Sequence, residues 1–141
     1  MLIDQISIFI ENRQGRMAEI TKLLADGEID IKALSIADTT DYGILRLIVN
    51  DPKKATELLS ENHVTASITK VLAIAIDNHP GGLNKAISTL SKGNIDVEYM
   101  YAFVTEKKET AFVIIRVEDN EKAIKILQDG GIKLMQNSDL Q

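Results

Sequence analysis

The sequence predicts an α+β fold: two βαββαβ units in tandem, each an antiparallel sheet with its helices on one face. Three observations carry that prediction. A shift of about 66 residues lays Ile8-Phe9-Ile10-Glu11-Asn12 on Ile74-Ala75-Ile76-Asp77-Asn78, and Gly15 on Gly81. The match continues through Leu24 and Leu90, Gly27 and Gly93, Ile29 and Ile95, Asp30 and Asp96, and Ile31 and Val97, so core and turn positions recur together. Within each half, apolar periodicity alternates between the two-residue step of a strand and the 3.6-residue step of a helix.

The first half opens with a strand in which Ile6, Ile8 and Ile10 alternate. Gly15 then opens a helix carrying Met17, Ile20, Leu23 and Leu24 on one side, and Gly27 stops it. Residues 31 to 38 and 43 to 49 are two apolar runs joined by Thr39-Thr40-Asp41-Tyr42, a polar connection that fits an antiparallel hairpin. Asp51-Pro52 signals a helix start, since the carboxylate can accept from free amides and proline suits the first helical position. Ala55, Leu58 and Leu59 give that helix its buried face. A strand at 64 to 69 closes the half and runs directly into the next first strand at 70 to 77.

The second half repeats the scheme, with Leu83, Ala86, Ile87 and Leu90 on its first helix and Ala123, Ile124 and Leu127 on its second. Strands near 97 to 105 and 110 to 117 lie between them. The hairpin there is two residues longer, after which Leu47-Ile48-Val49 matches Ile115-Arg116-Val117 and Ala55 matches Ala123. Two interlocked right-handed βαβ crossovers give a ferredoxin-like four-stranded sheet. The predicted domains are 1 to 69 and 70 to 141, with no Gly, Pro or Ser-rich linker at Thr69 and Lys70.

Composition narrows the function. Hydrophobic residues make up 45% of the 141 residues and charged residues 26%, enough apolar material for a packed core and too much for disorder. The net charge of −5 argues against a nucleic-acid partner, which needs a basic stripe. Lys53-Lys54 and Lys107-Lys108 are the only adjacent basic pairs. Without cysteine there is no disulfide, thiolate metal site or thiol nucleophile, and His63 and His79 have no spaced acidic partners, so neither metal nor cofactor is expected. No apolar run approaches the roughly 20 residues of a membrane helix, and Asp4-Gln5 interrupt any signal-peptide segment, so a cytoplasmic location is expected. No phosphate-cradling loop or nucleophile constellation is recognisable, which argues against an enzyme.

The segments Glu11-Asn12-Arg13-Gln14-Gly15-Arg16-Met17 and Asp77-Asn78-His79-Pro80-Gly81-Gly82-Leu83 join the first strand and helix of each half. They resemble the strand-to-helix motif of ACT domains, an acid, a variable pair, Pro, Gly, a variable residue and an aliphatic one, most closely in the regulatory domain of D-3-phosphoglycerate dehydrogenase. Gly27 to Ile31 and Gly93 to Val97 are similar to the family's entry into strand two. The resemblance implies a regulatory protein that binds a free amino acid and modulates a separate enzyme of amino-acid metabolism, as a homodimer or larger assembly. The alternative is a structural subunit without ligand.

The physical reason for such a loop is that a helix N-terminus offers unpaired amides and partial positive charge to a carboxylate. Arg13 and Arg16 are cations at that same positive end, an unfavourable placement unless an anion lies nearby, which favours an acidic ligand group near the first loop; the alternative is that both extend into water. By the resemblance, contacts come from Asn12, Gly15 and Asp30, and from Asn78, Gly81 and Asp96, usually across a domain interface. Neighbouring positions complete the expected set: Arg13, Gln14, Arg16, Met17, Ile31 and Leu34 in the first half, and His79, Pro80, Gly82, Leu83, Val97 and Met100 in the second. The dehydrogenase has Asn where this chain has Asp30 and Asp96, and a strand histidine where it has Ile10 and Ile76. A ligand other than serine is therefore expected, with Ile10, Ile76, Leu34 and Met100, and Tyr99 or Tyr101 beside them, as apolar walls that suit a larger or more hydrophobic side chain.

Overall fold

A computed structural model describes residues 1–38, 41–104 and 106–140. Thr39 and Thr40 of the expected hairpin connection, Thr105 at the end of the expected strand and Gln141 lie outside them. Contacts divide the chain into two units: Asp4–Thr69, and Met1–Ile3 with Lys70–Asp139.

In the first unit, β1 (Ile3–Glu11) leads into α1 (Arg16–Asp26), β2 (Ile31–Asp38), β3 (Tyr42–Val49) and α2 (Pro52–Glu61). β3 pairs antiparallel with β1, with Ile6 opposite Leu47 and Phe9 opposite Ile44, and antiparallel with β2 on its other side. The Phe9 N–H donates to the Thr65 carbonyl at 3.1 Å, so the closing segment lies beside β1. Ile6, Ile8 and Ile10 of β1 and Leu45, Leu47 and Val49 of β3 share one face by strand alternation, and Ile20, Leu24, Ala55 and Leu59 of the helices bury them. Full burial of each such Leu or Ile contributes about 1.5–3 kcal/mol. Asp51 caps α2 as expected, accepting from the Lys54 amide at 3.1 Å, with Pro52 next.

The strand β4 (Ala66–Asp77) is unbroken and supplies the opening strand of the second unit. It is followed by α3 (Gly82–Lys92), β5 (Tyr99–Ala102), β6 (Thr110–Arg116), α4 (Asn120–Asp129) and the two-residue β7 (Lys133–Leu134), then a single 3-10 turn, Asn137–Leu140. The order is β7, β4, β6, β5, all antiparallel. Leu72, Ile74, Val113 and Ile115 meet Ala86, Leu90, Ala123 and Leu127 in its core, and Leu2 packs against the same cluster. Asp119 caps α4 through the Lys122 amide.

β5 is shorter than the expected run from 97 to 105. Its ladder with β6 ends at Ala102, beyond which the Phe103 amide still bonds the Phe112 carbonyl while Val104 turns 78% of its surface to solvent. The pairings Phe9–Ile44 and Ala75–Phe112 bear out both the 66-residue shift and the two extra residues in the second hairpin.

Candidate functional site

Both strand-to-helix loops close on a glycine in the left-handed region, Gly15 at φ 85° and Gly81 at φ 92°, each the N-cap of its helix with no side-chain cap. That conformation is open to glycine at little cost, and it leaves the first helical amides without intrahelical partners. In the first unit Asn12, Arg13, Gln14 and Gly15 are exposed, while Met17 packs on the core. The Asn12 amide donates to the Asp41 carbonyl at 2.9 Å, tying the loop to the hairpin.

The two arginines find their anion within the chain. Arg13 donates to both carboxylate oxygens of Glu19 at 3.2 and 3.0 Å, and Arg16 donates to the same carboxylate at 3.1 Å. Glu11 lies 3.5 Å from Arg13 Nε. Hydrogen bonds from Arg13 and then Arg16 hold the Glu19 carboxyl below its ordinary range, and the hydrogen bond to Glu19 raises Arg13 in turn. Glu19, in the first turn of α1, supplies within the chain the anion expected of a ligand at this loop. The spacing of Arg16 and Glu19, three residues apart on one helix face, was the signal. Arg16 Nε nevertheless remains buried without an acceptor.

The second loop is built differently. The Asn78 amide donates to the Glu109 carbonyl at 2.9 Å and its side chain donates to the Lys108 carbonyl at 3.0 Å. His79 lies 3.5 Å from the Asp77 carboxylate and contacts the Pro80 carbonyl at 2.9 Å through Nδ1. Gly82 is buried where a Cβ would stand 1.9 Å from the Asp77 carbonyl oxygen, so only glycine lets α3 start this close to β4. Leu83 is 42% exposed.

The remaining expected residues lie elsewhere. Glu11 pairs with Tyr42 at one end of the first sheet, whereas Ile31 pairs with Val49 at the other. Seven steps along β3 at about 3.4 Å set them roughly 24 Å apart. Within one unit, then, the structure does not join Asp30 and Ile31 to Asn12 and Gly15, because β2 runs parallel to β1 and so starts at the end of the sheet opposite the loop. Asp30 is instead held by Asn50, which accepts from its amide at 2.8 Å, and by Lys32 at 2.6 Å. Leu34 is half exposed on β2, and Ile10 is buried under α1 and unavailable as a wall. The second unit repeats this. Asp96 lies away from Asn78 and Gly81, in an open hollow of about 890 Å³ lined also by Glu98, Glu118, Asp119 and Glu121, with Lys122 as its cation. Like charge there disfavours a carboxylate ligand. Val97, Met100 and Ile76 each pack against the core. Among the described residues no group of three or more His, Cys, Asp or Glu could hold a metal ion, and no helix is long and apolar enough to cross a membrane.

The family model described as an ACT domain pair matches residues 1–141, and the chain belongs to that family. Among solved structures, protein BT0572 from Bacteroides thetaiotaomicron is 42% identical, with 99% of this chain and 96% of that one covered and a TM-score of 0.93. The regulatory subunit of aspartate kinase from Thermus thermophilus is 16% identical over 90% of this chain and 91% of that one, at a TM-score of 0.63. The corresponding Thermus flavus subunit is 17% identical over 91% and 92%, at 0.60. No curated protein matches the sequence.

Proposed function

We propose that this ACT domain pair is a non-catalytic regulatory protein that binds a free amino acid at its strand-to-helix loops and thereby modulates a separate enzyme of amino-acid metabolism. The observation that carries the reading is the recurrence, in both units, of a left-handed glycine opening a helix directly after a strand that ends in an acid and an asparagine. The helix N-termini present positive partial charge to a carboxylate, and the Asn12 and Asn78 side chains carry both donor and acceptor atoms suited to an amino acid. The two Thermus proteins, regulatory subunits of aspartate kinase, support a role in which such a pair acts on a distinct catalytic partner. Binding would favour one arrangement of the protein by the difference in ligand affinity between arrangements. Asp30 and Asp96, remote from the loops of their own units, would contribute only from a facing unit, in the same chain or in a second copy of a homodimer or larger assembly.

A second reading, a structural subunit without ligand, is favoured at the first loop by one observation: Arg13 and Arg16 already have their counter-ion in Glu19. Calorimetric titration with each of the twenty amino acids, repeated on Gly15→Val and Gly81→Val, separates the two. The regulatory reading predicts selective binding lost in at least one variant; no binding of any amino acid establishes the structural subunit instead.

A further inference from the structure

The two units differ most at the ends of their first strands, and the difference opens a cavity in the second. In the first unit the rings of Phe9 and Tyr42 stack at 4.6 Å on the open sheet face, and α1 begins with Arg16. By strand register the equivalent positions are Ala75, Thr110 and Gly82. Two large side chains on the open face are thus replaced by small ones, whereas at Gly82 the missing side chain lets α3 approach the Asp77 carbonyl. Ile44 becomes Phe112, the change in the opposite sense, and that ring packs edge-on against Phe103 at 6.2 Å. A cavity of about 330 Å³ lies there, bounded by the ends of β4 and β6, the start of α3 and the approach to β7. That volume falls in the range of small-molecule sites.

The charge around this cavity also differs between the units. Lys85 stands where the first unit has Glu19, Lys133 where it has Thr65, and Lys107 belongs to the longer second hairpin. Lys107 Nζ sits 5.0 Å from the Phe112 ring centroid, at the cavity wall. Among the described residues neither Lys85 nor Lys133 makes an ion pair. The lining carries three lysines and one carboxylate, Asp77, in a chain whose net charge is −5. The lysines at this rim can donate charge-assisted hydrogen bonds to an anion. Asp77, at the same rim, supplies the one acceptor suited to a cation.

We propose that the cavity of the second unit binds an acidic amino acid, its carboxylates facing Lys85, Lys107 and Lys133 and its ammonium group facing Asp77. The inference rests on the regulatory reading above and narrows it to one unit and one ligand class.

The test is calorimetric titration of the full chain with glutamate, aspartate, glutamine, succinate and inorganic phosphate, followed by the remaining amino acids. Glutamate or aspartate binds, glutamine does not, and succinate and phosphate bind more weakly because they lack the ammonium. Lys85→Gln and Lys133→Gln, both at exposed positions, each raise Kd about tenfold or more, the loss of a charge-assisted hydrogen bond. The double variant Ala75→Phe with Thr110→Tyr, which installs the residues of the first unit and keeps every lysine, abolishes binding while circular dichroism and the unfolding midpoint show it folded. A different amino acid whose Kd is unmoved by all these variants overturns the acidic site and leaves amino-acid sensing standing. Succinate or phosphate binding as tightly as glutamate overturns the assignment to an amino acid. Binding of no amino acid overturns both.

Discussion

Gly81 and Gly82 are adjacent, yet they resist substitution for different reasons. A Cβ on Gly81 would meet nothing within 4 Å, so Gly81→Ala carries only the cost of a left-handed backbone, about 1–2 kcal/mol. A Cβ on Gly82 would meet the Asp77 carbonyl at 1.9 Å, so Gly82→Ala must push α3 off β4 and lowers stability further. Urea denaturation of the two variants checks the order. Glu19 supplies a pH prediction. Its carboxyl is depressed in the folded chain, so its ion pairs stabilise the fold above its ordinary value of 4.5 and that contribution is lost as pH falls through the lower folded value. NMR titration should find the Glu19 carboxyl below 4.5, and Arg13→Ala should move it back up. The two arginines at the helix start were legible in the sequence. Their partner was not read because an acid inside a helix is ordinary by composition, and only side-chain geometry shows both guanidiniums turning to it.

At the scale of elements, helix ends were read better than strand lengths. Asp51-Pro52 announces its helix because cap and proline act within a few residues, and the cap forms. Asp119 performs the same service for α4, hidden in the run Glu118-Asp119-Asn120, where three neighbouring residues compete for the cap. Asp51→Ala and Asp119→Ala should each cost about 1 kcal/mol in chemical denaturation. Strand ends depend instead on the partner across the ladder. The apolar content of residues 97 to 103 extends past the four residues of β5, since Val97 turns to the core before the ladder begins and Phe103 keeps a single bond after it ends. Periodicity identifies such a strand without measuring it.

For the whole molecule, the internal repeat made the architecture legible, because a shift that preserves glycine punctuation and core positions together specifies the same βαββαβ order twice. The candidate site was legible only in part. Loop residues follow from local sequence, but Asp30 and Asp96 were joined to the loops through a family pattern whose contacts cross between domains, and topology puts each at the far end of its own sheet. The cavity beside Gly82 needed the register itself, since Phe9 against Ala75 and Tyr42 against Thr110 gain meaning only when they are known to share a place. Amino-acid sensing by this chain is tested by its thermal unfolding midpoint in the presence of each of the twenty amino acids. A ligand at about a hundred times its Kd adds about 2.7 kcal/mol, a rise of roughly 5–10 °C for a chain of this size. A selective rise of that order is the predicted result; twenty unchanged midpoints at millimolar ligand would contradict the account.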